Sequence, residues 1–275
     1  MLKNFLYVLF VHFFYCLFPI EAIAQVIIKE HAETFSLEHS LYYYQTNEFE
    51  SLNQDTSLLN IVTTFKHGEF SKPKHPCANL KLGTSHSTCW LAIPLSNLTT
   101  TNASLELAIL NPDISTISFY HLDKNNQILS EYNTGKSFDF SSRPLQTRFF
   151  IFPFNVHPGE SNLLMLKIKM KGYPFYAPIS LSKQGYHIKH DLPFNLFYTF
   201  FSGMMLFVVV ISILLFIVIK KKLYLLYGTY ILFATLYFLG EEGMDFQLFY
   251  PSLQDLVSYL PSVYGCLALF FVIQF

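Results

Sequence analysis

Two cysteines that lie close together in the sequence are the first residues whose types and spacing could do chemistry. Cys77 and Cys89 are accompanied by His75 and His86. In an oxidising compartment we expect the two thiols to form a disulfide, which would close a short loop and contribute about 3 kcal/mol to stability. A Cys2His2 zinc site and two unpaired thiols are the alternatives.

Two arginines and several aromatic residues are candidates for ligand binding. Arg143 and Arg148 are the only arginines in the sequence. Their forked donors could hold a carboxylate or a pair of sugar hydroxyls, with a structural ion pair at a strand edge as the alternative. The tyrosines that could stack on a sugar face are Tyr120, Tyr132 and Tyr173. The sole tryptophan, Trp90, lies in an apolar run, so we expect it to be a core residue.

Charged residues also flank the apolar runs in the second half of the chain. His187 and His190 precede the first run, and Glu241, Glu242 and Asp245 follow the second. The histidines could sense pH or bind lipid headgroups, and the acids could bind a cation. We expect both groups to belong to solvated segments instead.

Several function classes find no support in the sequence. The formal net charge is -1, so there is no basic field to hold nucleic acid. We find no nucleophile elbow, P-loop, zinc-protease motif, calcium loop or dinucleotide fingerprint. We therefore predict no catalytic residue, no metal site and no cofactor within these residues.

The elements that would position these residues fall into three parts. Residues 1–24 have the charge, apolar stretch and small-residue cleavage site of a secretory signal peptide. Residues 25–192 contain short alternating β-branched and aromatic runs separated by turn residues, which predicts an antiparallel β-sandwich. Residues 195–275 contain three apolar runs, at about 195–219, 223–240 and 257–275, which predict membrane helices.

Charge placement predicts how these helices cross the membrane. Lys220, Lys221 and Lys222 lie between the first two apolar runs, and the next loop carries acids without Lys or Arg. Because Lys and Arg concentrate on the cytoplasmic side, the three lysines are expected inside and the sandwich outside. The sequence thus predicts a multi-pass protein of the inner membrane with a periplasmic N-terminal domain.

Short motifs recur along the chain in a characteristic order. They are Leu82-Gly83 before Cys89-Trp90-Leu91, Asn111-Pro112, Arg143-Pro144 with Arg148, Phe152-Pro153, Pro158-Gly159-Glu160 and Gly243-Met244-Asp245-Phe246. In these motifs the chain resembles the bacterial seven-transmembrane receptors with diverse intracellular signalling modules (7TMR-DISM) that carry the type-2 extracellular domain. The resemblance implies a jelly-roll-like sandwich related to carbohydrate-binding modules, outside the membrane, that feeds a seven-helix domain.

The chain departs from that family pattern in two respects. Cys89 precedes Trp90 where an aromatic residue is usual, and three of the seven helices are present. We therefore expect the gene to continue through the remaining helices into a cytoplasmic output module such as a histidine kinase or a nucleotide cyclase.

The sequence leads to one main hypothesis and two rivals. The main hypothesis is a membrane receptor whose sandwich binds a glycan or other small molecule, with the bilayer as its second partner and a homodimer left open. A component of surface-polysaccharide handling or transport is the first rival, although the first two apolar runs contain no ionisable Asp, Glu, Lys, Arg or His for a polar pathway. A catalytic sandwich is the second rival and would need paired carboxylates at one site.

Overall fold

The computed structural model describes residues 23–46, 57–73, 79–83, 88–170 and 175–274. The predicted signal peptide, apart from residues 23 and 24, lies outside these ranges. His75, Cys77, His86 and Tyr173 lie outside them as well.

Eleven strands build the N-terminal domain within the described ranges. In chain order they are β1 (Val26–Ile28), β2 (Thr34–Phe35), β3 (Tyr42–Thr46), β4 (Asn79–Gly83), β5 (Thr88–Asn97), β6 (Ala103–Ile109), β7 (Thr116–Leu122), β8 (Ile128–Thr134), β9 (Phe150–Val156), β10 (Ser161–Lys169) and β11 (Phe175–Lys183). Their lengths and their pairing into two sheets confirm the predicted β-sandwich.

The strands form two sheets that face each other. Sheet A has the order β1-β5-β10-β7-β8, and β3 pairs with the same edge of β5 that β1 uses. Sheet B has the order β2-β11-β6-β9, and β4 pairs with β11. All neighbours are antiparallel except β1 and β5, which run parallel.

The central strand of sheet A shows why two cores form. On β5, Cys89, Leu91 and Ile93 point between the sheets into the main core. The alternate residues Trp90 and Ala92 point to the opposite face because strand side chains alternate. Trp90 is fully buried, which confirms the prediction that it is a core residue.

A short helix, α1 (Leu58–Lys66), covers the outer face of sheet A. Its buried residues Ile61, Val62 and Phe65 pack with Trp90 and Met165 in a second apolar cluster. The i, i+1, i+4 spacing gives α1 one apolar side, so it can close over the sheet while its other side meets solvent. The sequence pattern alone is compatible with either a strand or a short helix in this segment.

The C-terminal part of the chain is helical. It contains α2 (Tyr186–Ile219), α3 (Lys222–Glu241), two short helices, α4 (Met244–Leu248) and α5 (Gln254–Val257), and then α6 (Leu260–Gln274). Among the described residues, α2 and α3 are long and apolar enough to cross a membrane, and α6 is a shorter apolar helix. The sandwich followed by apolar helices is the fold class that the sequence predicts.

The first membrane helix begins earlier than the sequence suggests. The predicted span starts at about residue 195, because the long apolar run begins there. In the structure α2 starts at Tyr186 and continues through Pro193. Strand β11 ends at Lys183, so Gln184 and Gly185 are the whole connection between the sandwich and the membrane helix.

Candidate coupling site between the sandwich and the helices

A buried carboxylate of the sandwich holds the start of α2. Glu106 lies on β6 and is fully buried. Its Oε2 accepts a hydrogen bond from the Gly185 backbone N–H and its Oε1 accepts one from the His187 N–H, both at 2.8 Å. The first backbone N–H groups of a helix have no partner within the helix and carry partial positive charge. A strand residue therefore caps the membrane helix, which explains why α2 can begin before Pro193.

A second link is an ion-pair cluster around Arg148, just before β9. The guanidinium Nη2 lies 2.6 Å from Asp191 Oδ1 and Nε lies 3.2 Å from Asp191 Oδ2, so the pair is bidentate. Nη1 also donates to Glu242, next to the end of α3. Burial lowers the pKa of Arg148, but Asp191 and Glu242 outweigh this and raise it overall. One side chain of the sandwich thus joins two successive helices.

Apolar and backbone contacts form a third link. Phe140 lies on a 3-10 turn of the sandwich (Phe140–Ser142), and its ring meets Phe246 of α4 edge to face at 5.4 Å between centroids. The two rings share a small core with Val257. The Phe140 N–H also donates to the Pro251 carbonyl at 2.9 Å. The loop after α3 is therefore docked on the sandwich.

The same loop approaches the sandwich closely at Gly243. This residue has φ +69, in the left-handed region that favours glycine. A Cβ there would lie 2.6 Å from Cβ of Pro112. Glycine is thus required by both the backbone conformation and the contact. We call these three links together with Gly243 the junction.

Asp245 corrects our expectation that the acids after α3 are a solvated loop. It is fully buried, and its Oδ1 accepts a hydrogen bond from the Phe246 N–H at 2.7 Å. Its Oδ2 has no hydrogen-bond partner in the described part of the chain. Burial raises the pKa of Asp245 and nearby Asp113 adds to this, whereas the Phe246 N–H and Lys136 lower it.

The expectation fails because the loop packs beneath the sandwich. Glu242 is paired with Arg148, and Asp245 lies under the strand connections that carry Asp113 and Lys136, themselves paired at 2.6 Å. His187 is likewise buried rather than solvated, since it lies in the first turn of α2 against the sandwich. His190, one turn later, is exposed.

Asp245 gives a testable pH dependence. A carboxyl whose pKa is raised in the folded state contributes stability below its unfolded pKa, near 3.8, and loses it as pH rises through the folded value. Asp245→Asn carries no charge at any pH, so we expect its melting temperature to exceed that of the wild type at pH 8 and to approach it near pH 4. Thermal unfolding of the purified full chain across this range measures the difference.

The matched control is Asp255→Asn, which alters an exposed acid farther along the same loop. It should follow the wild-type profile. An Asp245→Asn profile parallel to the wild type over the whole range would show that the carboxyl is not buried in the folded receptor.

The remaining sequence-predicted residues do not meet at one site. Arg143 is buried, and its Nη1 donates to the Thr147 and Arg148 carbonyls at 2.7 and 2.6 Å. Its guanidinium lies over the rings of Phe140 and Phe150. Arg143 therefore stabilises the conformation of the loop that contains Arg148.

The tyrosines lie on opposite faces of sheet A. Tyr120 is half-buried on the outer face and stacks on Trp90, with 6.4 Å between ring centroids. Tyr132 contacts Phe119 and Phe152 of the main core. Tyr173 lies outside the described residues. A ligand-binding role for these tyrosines stays a prediction.

The cysteine prediction is also left open. Cys89 is fully buried, and in the described part of the chain it carries a free thiol whose pKa is raised by burial. Cys77, its predicted partner, lies outside the described residues, as do the histidines of the zinc alternative. The pairing therefore stays a prediction.

Comparison with protein families identifies the kind of protein that contains this junction. Residues 46–183 match the family described as 7TMR-DISM extracellular 2. Residues 194–275 match the family described as 7TM diverse intracellular signalling. The chain belongs to the 7TMR-DISM family. It is thus a membrane receptor with an extracellular N-terminal domain, and these receptor domains are sensory rather than catalytic.

Comparisons with single proteins add less to this 7TMR-DISM assignment. No curated protein matches the chain. Among solved structures, the pre-peptidase C-terminal domain of a Bacillus anthracis collagenase is similar at 12% identity and a TM-score of 0.22, covering 38% of this chain and 85% of that one. The enzymatically active domain of bacteriophage CBA120 tailspike protein 4 is similar at 11% identity and a TM-score of 0.26, covering 53% of this chain and 19% of that one.

A third similar structure is an isomalto-dextranase of Arthrobacter globiformis T6 complexed with panose. It shares 12% identity at a TM-score of 0.20, covering 38% of this chain and 17% of that one. Similarities at these TM-scores carry no conclusion about this 7TMR-DISM receptor.

Sequence reasoning about the 7TMR-DISM receptor missed the residues that join its two parts. Glu106 lies in an alternating strand at a position that the pattern assigns to the solvent face of sheet B. Nothing in the strand itself signals that a helix N-terminus covers it. Arg148 and Glu242 are each recognisable as candidates in the sequence, but their contact across the chain depends on the docking of the loop after α3.

Proposed function

We propose that the sandwich binds an extracytoplasmic small molecule or glycan, and that the helices carry the bound state to a cytoplasmic output module. The junction is the observation that supports this most. Glu106 caps α2, and Arg148 joins α2 to the end of α3, with a connection of Gln184 and Gly185 between the domains. A displacement within the sandwich would therefore move the helices instead of being absorbed by a linker.

Transmission of a signal from the sandwich to the helices sets a condition on the affinity of the ligand. It must bind two arrangements of the receptor with different affinity, because a ligand with equal affinity for both shifts nothing. Each tenfold preference shifts the equilibrium by about 1.4 kcal/mol. We propose that the two arrangements differ in how the sandwich sits on the helix ends, with the N-terminal domain in the periplasm and Lys220 to Lys222 in the cytoplasm.

The face around Tyr120 is our candidate for the ligand contact. Tyr120 stacks on Trp90, and Lys167 Nζ lies 5.3 Å from the centroid of the Trp90 ring system. The indole Nε1 of Trp90 is buried without a hydrogen-bond partner among the described residues. Because Trp90 is buried, the half-buried ring of Tyr120 would make the contact. An aromatic ring with a cation close by suits a polar ligand with a flat apolar face, such as a sugar.

The test is a ligand screen on the full chain in nanodiscs. A panel of oligosaccharides, monosaccharides and amino acids is scored by thermal shift, with the fluorescence of Trp90, the only tryptophan, as an independent signal. We expect at least one compound to raise the melting temperature and Tyr120→Ala to abolish that shift.

Tyr176→Ala is the matched control, since it alters an exposed tyrosine on β11 of the other sheet. It should keep the shift. A panel with no effect on the wild type would contradict the ligand class, and a hit that Tyr120→Ala leaves intact would place the site elsewhere on the sandwich.

A further inference from the structure

A cavity of about 450 Å³ lies between the sandwich and the outer part of α2. Its sandwich wall includes Leu110, Phe149 and Ile151, and its helix wall includes Ile188 and Leu192. This volume falls within the roughly 300–1,000 Å³ range of small-molecule sites. The cavity is separate from the Tyr120 face, so a ligand of the cavity is independent of the ligand proposed for that face.

The helix lengths place this cavity relative to the membrane. Helix α3 has 20 residues, and at about 1.5 Å per residue it is about 30 Å long, which equals the hydrocarbon thickness of a bilayer. Arg148 touches Glu242 beyond the end of α3 and lies 5.6 Å from the ring of Tyr198 on α2. Tyr198 therefore marks the outer edge of the hydrocarbon layer on α2.

The twelve residues of α2 before Tyr198 then rise above that edge. At about 1.5 Å per residue this extension is about 18 Å long, which exceeds the thickness of the headgroup layer. It is nevertheless apolar on one side. Ile188, Leu192, Leu196 and Phe200 recur every fourth residue, and their exposure rises from 49% to 73%.

This apolar strip runs without a break from the hydrocarbon layer to the cavity. Ile188 and Leu192 line the cavity, and Phe200 lies below Tyr198 within the span. In water such a strip is unfavourable, because apolar surface is best removed from solvent. A hydrocarbon chain that followed the strip upward would cover it and fill the cavity at the same time.

The charged residues that line the cavity affect which headgroup such a ligand can have. Arg148 and Asp191 both line the cavity, and they are paired with each other. The remaining guanidinium nitrogen of Arg148 donates to Glu242. Arg148 thus directs three of its five N–H donors at two carboxylates, which balance its positive charge. Apart from this ion pair and the side chains of His187 and His190, the lining is mainly apolar, so the cavity suits an apolar chain.

We propose that this cavity binds an acyl chain of a lipid from the outer leaflet. The chain would contact β9 on one side and α2 on the other, so its presence would favour the docked arrangement of the junction. The receptor would then respond to the state of the membrane as well as to a ligand of the sandwich.

Photo-crosslinking of the full chain in nanodiscs tests this site. The probes are two phospholipids with a diazirine on the acyl chain, one with a phosphatidylethanolamine head and one with a phosphatidylglycerol head. After irradiation, peptides are mapped by mass spectrometry. We expect both probes to label residues 147–151. These residues belong to the sandwich and lie outside the hydrocarbon layer, so a diazirine on an acyl chain reaches them when the chain enters the cavity.

Two variants test whether the labelling of residues 147–151 depends on the cavity. Ile188→Trp places a large ring at the cavity wall and should abolish labelling of residues 147–151 by both probes. Leu214→Trp introduces the same ring at an exposed position of α2 within the span and should leave that labelling unchanged. Because both positions are exposed, neither substitution disturbs a packed core.

Three results would overturn the proposal. They are labelling confined to the membrane-spanning part of α2, labelling of residues 147–151 that survives Ile188→Trp, and labelling by the phosphatidylglycerol probe alone. The last would mean that headgroup charge, and not the chain, is recognised.

Discussion

Replacing Glu106 with alanine is expected to release the first turn of α2 from the sandwich. The substitution removes the acceptors of two hydrogen bonds from backbone N–H groups, those of Gly185 and His187. A hydrogen bond to a charged group contributes about 1.5–3 kcal/mol, so the loss should be about 3 kcal/mol or more. Hydrogen exchange of the amides at residues 185–191 should accelerate roughly a hundredfold, since about 1.4 kcal/mol corresponds to a factor of ten.

Two further variants separate the cap from other effects. Glu106→Gln keeps one carbonyl acceptor but turns an amide donor toward a backbone N–H, so its exchange rates should fall between those of the wild type and Glu106→Ala. Glu131→Ala removes an exposed glutamate from β8 and should change nothing at residues 185–191. Unchanged exchange in Glu106→Ala would mean that α2 does not depend on the sandwich for its N-terminus.

Replacing Arg148 with methionine is expected to destabilise the docked receptor by about 3 kcal/mol, the lower end of the range for a broken buried ion pair. Asp191 is the partner that matters most, because the side chains of Arg148 and Asp191 are 6% and 14% exposed. Glu242 is 38% exposed and its pair with Arg148 should contribute little. Thermal unfolding of the full chain in detergent measures the loss.

A double-mutant cycle tests whether the loss comes from the pair. Arg148→Met with Asp191→Leu replaces both charges by apolar groups, so most of the stability should return. Among single acids, Glu242→Gln should have a small effect and Glu241→Gln, which alters an exposed neighbour, none. A double variant as unstable as the sum of the two single ones would contradict a direct interaction.

The fold class was predictable because its signals are local. The sequence alternation along β6 and β7 and the predominantly apolar character of residues 196–219 each reflect one element and its surroundings. The burial of Trp90 followed in the same way from its apolar neighbours. Such patterns do not require knowledge of which elements meet in space.

The junction could not be predicted because each of its links joins residues far apart in the sequence. Glu106 meets His187, and Arg148 meets Glu242. The extension of α2 back to Tyr186 could not be inferred from the apolar run for the same reason, since the cap of its first turn comes from another domain. Asp245 has the sequence context of a loop acid, and only the docked sandwich buries it.

A distance between the sandwich and the helices tests most directly whether the junction holds the two parts in one docked arrangement when no ligand is bound. Spin labels at Leu98, an exposed loop residue of the sandwich, and at Lys221, between α2 and α3, report this distance in nanodiscs after the native thiols are replaced. Without ligand, we predict one narrow distance distribution for the wild type and a broad one for Glu106→Ala combined with Arg148→Met. A distribution already broad in the wild type, or one that the double variant leaves narrow, would contradict a rigid junction.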